Sequence, residues 1–203
     1  MKTVYALSAA LLIACSKDSS GPQQQPPVLD QQNLFEGTIA AQSVGMFNDS
    51  TGAADGSDQQ SAQTFTVAIS GHLAEIKVPL INTQNATIGV TMDLLRTAAG
   101  VPDDGRKLGE VSVPISALPT STANRTNPDS WVAFDFTNQD IEVTAGEQLA
   151  FVVRTRSTIP ILFNAEQNFG YVQGRAYRRN RTATTVWSQR TYSHAFQTYV
   201  RRN

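Results

Sequence analysis

Apolar and polar residues alternate with a period of two along much of this chain, most clearly in residues 131–156, WVAFDFTNQDIEVTAGEQLAFVVRTR. In an extended segment this alternation places apolar side chains on one face and leaves the other face to water. The alternating apolar residues form three sets: Val132, Phe134 and Phe136; Ile141 and Val143; and Leu149, Phe151 and Val153. The stretch therefore predicts three consecutive strands of a meander, whose apolar face needs a second sheet to cover it.

The same pattern recurs in other parts of the chain, between segments rich in turn residues. The remaining alternating sets are Phe65, Val67 and Ile69; Leu73, Ile76, Val78 and Leu80; Ile88, Val90, Met92 and Leu94; and Val111, Val113 and Ile115. Residues 38–45 predict an earlier strand, and no segment after residue 14 keeps the 3.6-residue apolar period of a helix over three turns. The prediction is an all-β fold, a two-sheet antiparallel β-sandwich of jelly-roll type.

Length and composition fit one domain with a sizeable core. The chain has 203 residues, of which 40% are hydrophobic, and its net charge of -1 argues against nonspecific binding of nucleic acid. Cys15 is the only cysteine in the sequence, so an intramolecular disulfide is excluded. Stability must therefore come from burial and from hydrogen bonds within the sheets.

The N-terminal residues have the pattern of a secretion signal. Residues 1–14 combine Lys2 with an apolar run that is shorter than the roughly 20 residues of a spanning helix. The tetrad Leu12-Ile13-Ala14-Cys15 resembles the bacterial lipobox, which implies cleavage before Cys15, lipidation of its thiol and attachment to the outer membrane or cell surface. The alternative is an ordinary secretory signal with an incidental cysteine.

The segment that follows predicts a tether and then the folded domain. Residues 15–33 start at Cys15, where the lipobox resemblance implies a lipid anchor, and their Ser, Gln and Pro content offers little to bury, which indicates a flexible tether. The β-sandwich domain is predicted to occupy residues 34–203.

Two groups of acidic residues could carry chemistry. Asp49, Asp55 and Asp58 in the loop of residues 48–60 could bring three carboxylates together for a structural calcium ion, although a solvated loop fits the same pattern. Asp103 and Asp104 are adjacent and would point apart in an extended chain. We therefore interpret them as solvated turn residues.

The sequence offers few groups for catalysis. Its two histidines, His72 and His194, have no recognisable partner, and there is no glycine-flanked serine or metal-spaced histidine cluster. We expect His72 in a surface turn and His194 facing solvent or hydrogen-bonded at a sheet edge. A noncatalytic protein is the main hypothesis, and a carbohydrate-active enzyme with two carboxylates remote in sequence is the alternative.

Arginine is concentrated in residues 154–202, a segment whose only acid is Glu166. Arginine suits bidentate contact with carboxylate or phosphate, and aromatic residues interleaved with it can stack on sugar rings. The predicted ligand-binding residues are Arg175, Tyr177, Arg178, Arg179 and Trp187, with Trp131 at the start of its own strand. The ligand would be a glycan or an acidic surface molecule. The alternative is that the arginines occupy exposed strand positions while the aromatic residues pack in the core.

Four segments resemble the β-sandwich domain of bacterial anchored proteins of the choice-of-anchor kind. They are AQTFTV at residues 62–67, WVAFDF at 131–136, IEVTAGEQLAFVV at 141–153 and HAFQTYV at 194–200. The resemblance implies an architecture similar to carbohydrate-binding jelly rolls, without a set of site residues. His194 departs from it, because an acidic residue often stands there in related closing strands. We expect a lipid-anchored module that binds carbohydrate or mediates adhesion, or else a structural or protein-interaction module of the envelope.

Overall fold

The computed structural model describes residues 25–34, 39–44, 59–82, 85–120, 131–157, 161–166, 171–180 and 186–202. These residues form fourteen strands and two short 3-10 turns. The first seven strands are β1 Val28–Asn33, β2 Ile39–Val44, β3 Gln59–Thr66, β4 Gly71–Ile81, β5 Val90–Ala98, β6 Val101–Val113 and β7 Trp131–Asp135. The others are β8 Glu142–Val143, β9 Gln148–Thr155, β10 Ile161–Glu166, β11 Ala176–Asn180, β12 Ser188–Gln189, β13 Ser193–His194 and β14 Phe196–Arg201.

The strands form two antiparallel sheets. One sheet has the order β1-β14-β4-β10-β13, with β2 paired to β10 and with β7 and β8 paired to β4. The other has the order β12-β11-β3-β9-β5-β6. The chain crosses repeatedly from one sheet to the other, which confirms the predicted two-sheet antiparallel sandwich of jelly-roll type. No helix among the described residues is long and apolar enough to cross a membrane.

The core between the sheets is built around fully buried phenylalanines from both of them. Phe151 of β9 lies with its ring centre 5.6 Å from that of Phe196 in β14 and 6.4 Å from that of Phe163 in β10. Phe65 of β3 completes the group, with its ring centre 6.0 Å from that of Phe196. Such rings exclude water from a large apolar area, and their tilted arrangement is the favourable one for aromatic pairs.

The three strands predicted within residues 131–156 exist, but they do not form a meander. Both β7 and β8 pair with β4, whereas β9 belongs to the other sheet. The 3-10 turn Thr137–Gln139 between β7 and β8 only interrupts their run along β4, and the Phe136 amide donates to the Ala74 carbonyl beside it. The following turn, in which the Glu147 amide donates to the Thr144 carbonyl, carries the chain across to β9.

The folded domain also begins earlier than predicted, inside the proposed tether. Residues Val28–Asn33 form β1, which pairs with β14 at the edge of the larger sheet. The Asp30 carboxylate fixes this strand, since it accepts hydrogen bonds from the amides of Ala68 (2.8 Å) and Ile69 (2.7 Å) and from the Thr198 hydroxyl (3.1 Å). A polar sequence forms this strand because an edge strand needs backbone partners on one side and little apolar surface.

Candidate binding face

The outer face of the six-stranded sheet carries part of the predicted site. Directly paired residues of an antiparallel sheet point to the same side. Tyr177 pairs with Ala62, which pairs with Val152. The adjacent row, which includes Val153, points into the sandwich core. Tyr177 and Arg179 of β11 therefore point away from the core, together with Gln60 of β3.

Arg179 is buried on this outer face and is held by contacts within the chain. Its guanidinium donates to Oε1 of Gln60 at 3.0 and 2.7 Å and forms an ion pair with the Asp104 carboxylate, where Nη2 to Oδ1 is 3.0 Å. The Trp187 ring stacks on it, with the guanidinium carbon 4.1 Å from the ring centre. Its donors and charge are thus engaged in positioning Trp187, and an ion pair of this kind fixes geometry more than it adds stability.

Tyr177 lies in a small apolar cluster beside this arginine. It packs with Ala62, Leu95 and Val152, and the half-buried Val101 and Trp187 pack against the same cluster. Its hydroxyl donates to the Gly100 carbonyl at 3.0 Å, and burial raises the pKa of the phenol. The outer face thus has an apolar layer of its own, over which Trp187 lies half-exposed.

The hairpin of β5 and β6 covers part of this face. The prediction for this segment is that Asp103 and Asp104 are solvated turn residues. Instead β6 extends over Val101–Val113, and Asp104 reaches Arg179, although 51% of the Asp104 side chain stays exposed. Asp103 also lies in β6, and its Oδ1 accepts a hydrogen bond from the Gly105 amide at 3.0 Å. Gly100, with φ of 81°, allows the tight reversal between the two strands.

A network of charges continues across the same face at β9, β5 and β6. Arg154 donates to both carboxylate oxygens of Asp93 (2.7 and 3.2 Å) and to Glu110 (2.7 Å), and the Lys107 ammonium lies 2.6 Å from Asp93. Burial raises the pKa of Asp93, but hydrogen bonds from Arg154 and Lys107 outweigh it and hold that pKa below its ordinary value. The hydrogen bond to Asp93 is also the main cause that raises the pKa of Arg154.

The other predicted ligand residues lie elsewhere. Arg178 pairs with Ser61 on the opposite side of β11, facing the space between the sheets. Arg175 precedes β11, and its guanidinium donates to the carbonyl of Gly174 at 2.8 Å. Trp131 opens β7 in the other sheet, out of phase with the buried Val132 and Phe134. The structure therefore brings together Tyr177, Arg179 and Trp187, and separates them from the rest.

The predicted lipidation and calcium residues lie outside the described part of the chain. This applies to Cys15 and to Asp49, Asp55 and Asp58. Within the described ranges, no group of three or more His, Cys, Asp or Glu side chains could hold a metal ion.

The two histidines occupy very different sites. His72 lies in β4 with its Nδ1 2.9 Å from a carboxylate oxygen of Asp140, so it is a strand residue with an acidic neighbour. His194 is fully buried, which corrects the expectation of a solvent-facing residue or a simple edge position. Its ring stacks on that of Phe163 at 3.9 Å between centres, and its amide donates to the Gln63 side chain. The stacked phenylalanine gives the faces of this imidazole ring an apolar contact.

Sequence reasoning missed the residues that hold Trp187 in place. Gln60 lies 119 positions and Asp104 75 positions before Arg179. The sequence contains only a weak indication of these contacts. Gln60, Ala62 and Thr64 fall on the strand face opposite Phe65, so alternation predicts that they point outward. It does not predict which residues pack on them.

Comparisons with known proteins add one distant similarity. No protein-family model and no curated protein matches the chain. A solved structure that it resembles contains the cysteine protease and lectin-like domains of Cwp84, a surface layer associated protein of Clostridium difficile. The TM-score is 0.48 at 12% identity, and the match covers 72% of this chain and 33% of that one. Inference about function therefore rests on the site itself.

Proposed function

We propose that this protein is a noncatalytic binding module of the bacterial cell surface, and that the outer face around Trp187 binds carbohydrate. The observation that carries the proposal is the fixed orientation of this half-exposed ring, stacked 4.1 Å above a buried and ion-paired arginine. A sugar ring gains most from an aromatic platform that is already immobilised, since binding then orders few side chains. The exposed Gln189 pairs with Tyr177 on the same face and offers polar groups for sugar hydroxyls.

A glycan array with the folded domain tests this proposal. Trp187→Ala should abolish binding to the glycans that the wild type retains, whereas Trp187→Phe should keep part of it. Trp131→Ala is the matched control, because it removes the same ring from the other sheet. Binding that survives Trp187→Ala but is lost in Trp131→Ala would move the site to the other sheet. A wild type that retains no glycan would rule out carbohydrate binding.

The second candidate is a structural or protein-interaction module of the envelope. The exposed Val186 beside Trp187 favours it, since 67% of this residue is exposed. Single exposed apolar residues are common, but one that adjoins a half-exposed aromatic ring fits a protein contact. If no glycan binds, and an envelope protein copurifies with the wild type but not with Val186→Ser, this candidate replaces the first.

We also propose that Cys15 is lipidated and that the module is held at the outer membrane or cell surface through residues that precede β1. Two or three acyl chains anchor a protein stably, at about 0.8 kcal/mol per buried methylene. Metabolic labelling with a fatty acid should mark the wild type and leave Cys15→Ser unlabelled. Label retained in that variant would rule out lipidation of Cys15.

A further inference from the structure

The inner side of β11 places a charged side chain at the opening between the two sheets. Arg178 pairs with Ser61, which pairs with Val153 in the core, so all three side chains point inward. Arg178 is only half-buried because β11 lies near the end of its sheet. The guanidinium therefore lies where the sandwich interior meets solvent.

A second arginine lies beside it. The Arg190 amide donates to the Ala176 carbonyl at 2.9 Å, and Ala176 packs against the Tyr192 ring. The Nε atom of Arg190 is buried and has no hydrogen-bond acceptor among the described residues. Tyr192 in turn contacts the buried His194, with ring centres 5.3 Å apart. The opening is thus lined by two guanidinium groups and one phenol.

These two arginines differ from Arg154 and Arg179, which each form an ion pair with an aspartate. Among the described side chains, no acid lies within ion-pair distance of Arg178 or Arg190. Burial lowers the pKa of Arg178, and the charge of Arg190 lowers it further. Two like charges in a partly dehydrated place disfavour each other, so an anion that binds both would be stabilised.

We propose that the opening between β11 and β13 is a binding site for an oxyanion, and that Arg178, Arg190 and Tyr192 contact a carboxylate carried by an acidic sugar. Guanidinium groups bind carboxylates in a planar, two-point geometry, which suits the uronic acid class. Burial raises the pKa of Tyr192, so its hydroxyl stays protonated and can donate to the same anion. This site lies on the opposite side of β11 from Trp187, and it stands independently of the stacking site proposed above.

Calorimetric titration with an oligomer of galacturonic acid, the matching neutral galactose oligomer and inorganic phosphate tests the proposal. The wild type should bind the acidic oligomer, and Arg178→Gln and Arg190→Gln should each weaken that binding roughly tenfold or more. The neutral oligomer should not bind at this site. Phosphate that binds with the same dependence on both arginines would assign the site to free oxyanions in general.

Two controls keep the experiment decisive. Arg202→Gln removes one exposed positive charge near the C-terminus, so an equal loss of binding in this variant would show bulk attraction and overturn the proposal. Arg178→Gln should leave the melting temperature unchanged or raise it, because it removes an uncompensated charge. A clear fall in melting temperature would reveal an acidic partner within the chain and would also overturn the proposal. The absence of any anion binding by the wild type would have the same consequence.

Discussion

The interior of the sandwich and the outer face of the six-stranded sheet use the same strands in opposite ways. On β9, Phe151 points inward to other phenylalanines, while its neighbour Val152 points outward to Tyr177. The inner contacts are apolar and nondirectional. The outer ones are mostly hydrogen bonds and ion pairs that join β3, β5, β6, β9 and β11. The interior thus stabilises the fold, whereas the directional contacts of the outer face fix the positions of its side chains.

The difference teaches where function can be sought in this fold. The core cluster tolerates little change of volume, but it presents nothing to a ligand. On the outer face, an arginine that is itself held by a glutamine and an aspartate fixes the position of one indole ring, that of Trp187. Such an arrangement is expected where a side chain must be preorganised. Substitutions in the two regions should therefore have separable effects on stability and on binding.

The largest effect is expected in the interior. Phe151→Ala removes a fully buried ring that contacts Phe65, Phe163 and Phe196 and leaves a cavity between the sheets. It should lower the free energy of unfolding by about 4 kcal/mol. Urea unfolding followed by circular dichroism measures this loss. A cost similar to that of a surface substitution would mean that the sandwich core is not closely packed at this point.

A smaller effect with a distinct signature is expected for Arg179→Met. The apolar chain is kept, but the buried Oε1 of Gln60 loses the two hydrogen bonds that Arg179 donates, so unfolding should become easier by about 2 kcal/mol. Because Trp187 loses its partner, its fluorescence emission should shift to the red in a Trp131→Phe background. Arg202→Met, at an exposed site, is the control. An unchanged emission would show that Arg179 does not position the ring.

The interior could be predicted from sequence because alternation alone determines which residues turn inward. Phe65, Phe134 and Phe151 all follow it, and all are fully buried. The pairing of charges could not be predicted this way. The arginines of residues 154–202 stand in a segment with one acid, yet Arg154 and Arg179 find Asp93 and Asp104 on strands far away in sequence. The order of charged residues along the sequence does not show which of them lie next to each other in the folded sheet.

Local composition also failed where tertiary contacts decide the outcome. Residues Val28–Asn33 read as a tether because they contain little to bury, but the free edge of β14 supplied backbone partners. His194, at the start of the last predicted strand, is expected to face solvent or to be hydrogen-bonded at a sheet edge, but Phe163 offers a flat apolar surface for its ring. In each case the residues that decide the conformation lie more than thirty positions away in the sequence. A local sequence pattern therefore cannot predict the contact.

A still smaller, pH-dependent effect is expected for Asp93→Asn. The pKa of Asp93 is lowered in the folded protein, so its carboxylate stabilises the fold above its unfolded pKa of about 3.9, and this contribution is lost as the pH falls through the lower folded value. At neutral pH the variant should be less stable by about 1.5 kcal/mol. The two proteins should converge once the pH is below the folded pKa of Asp93.

Chemical unfolding across that pH range measures the difference. Asp103→Asn is the control, since it removes a carboxylate that bonds only locally to the Gly105 amide and Asn keeps the accepting oxygen. A difference between Asp93→Asn and the wild type that stays constant down to acid pH would show that Arg154 and Lys107 do not depend on the charge of Asp93.

The smallest effect is expected for Tyr177→Phe, which tests the outer face at its most apolar point. The variant loses only the hydroxyl that donates to the Gly100 carbonyl at 3.0 Å, and it should cost about 1 kcal/mol because the ring still fills the cluster with Ala62, Leu95 and Val152. Urea unfolding measures it, with Tyr177→Ala as the companion variant that also removes the ring. If Tyr177→Phe and Tyr177→Ala lower the free energy of unfolding equally, the hydrogen bond to Gly100 in the hairpin is what stabilises the outer face. If Tyr177→Phe is neutral, the ring alone supports Trp187, and the β5–β6 hairpin is free to move without disturbing the proposed platform.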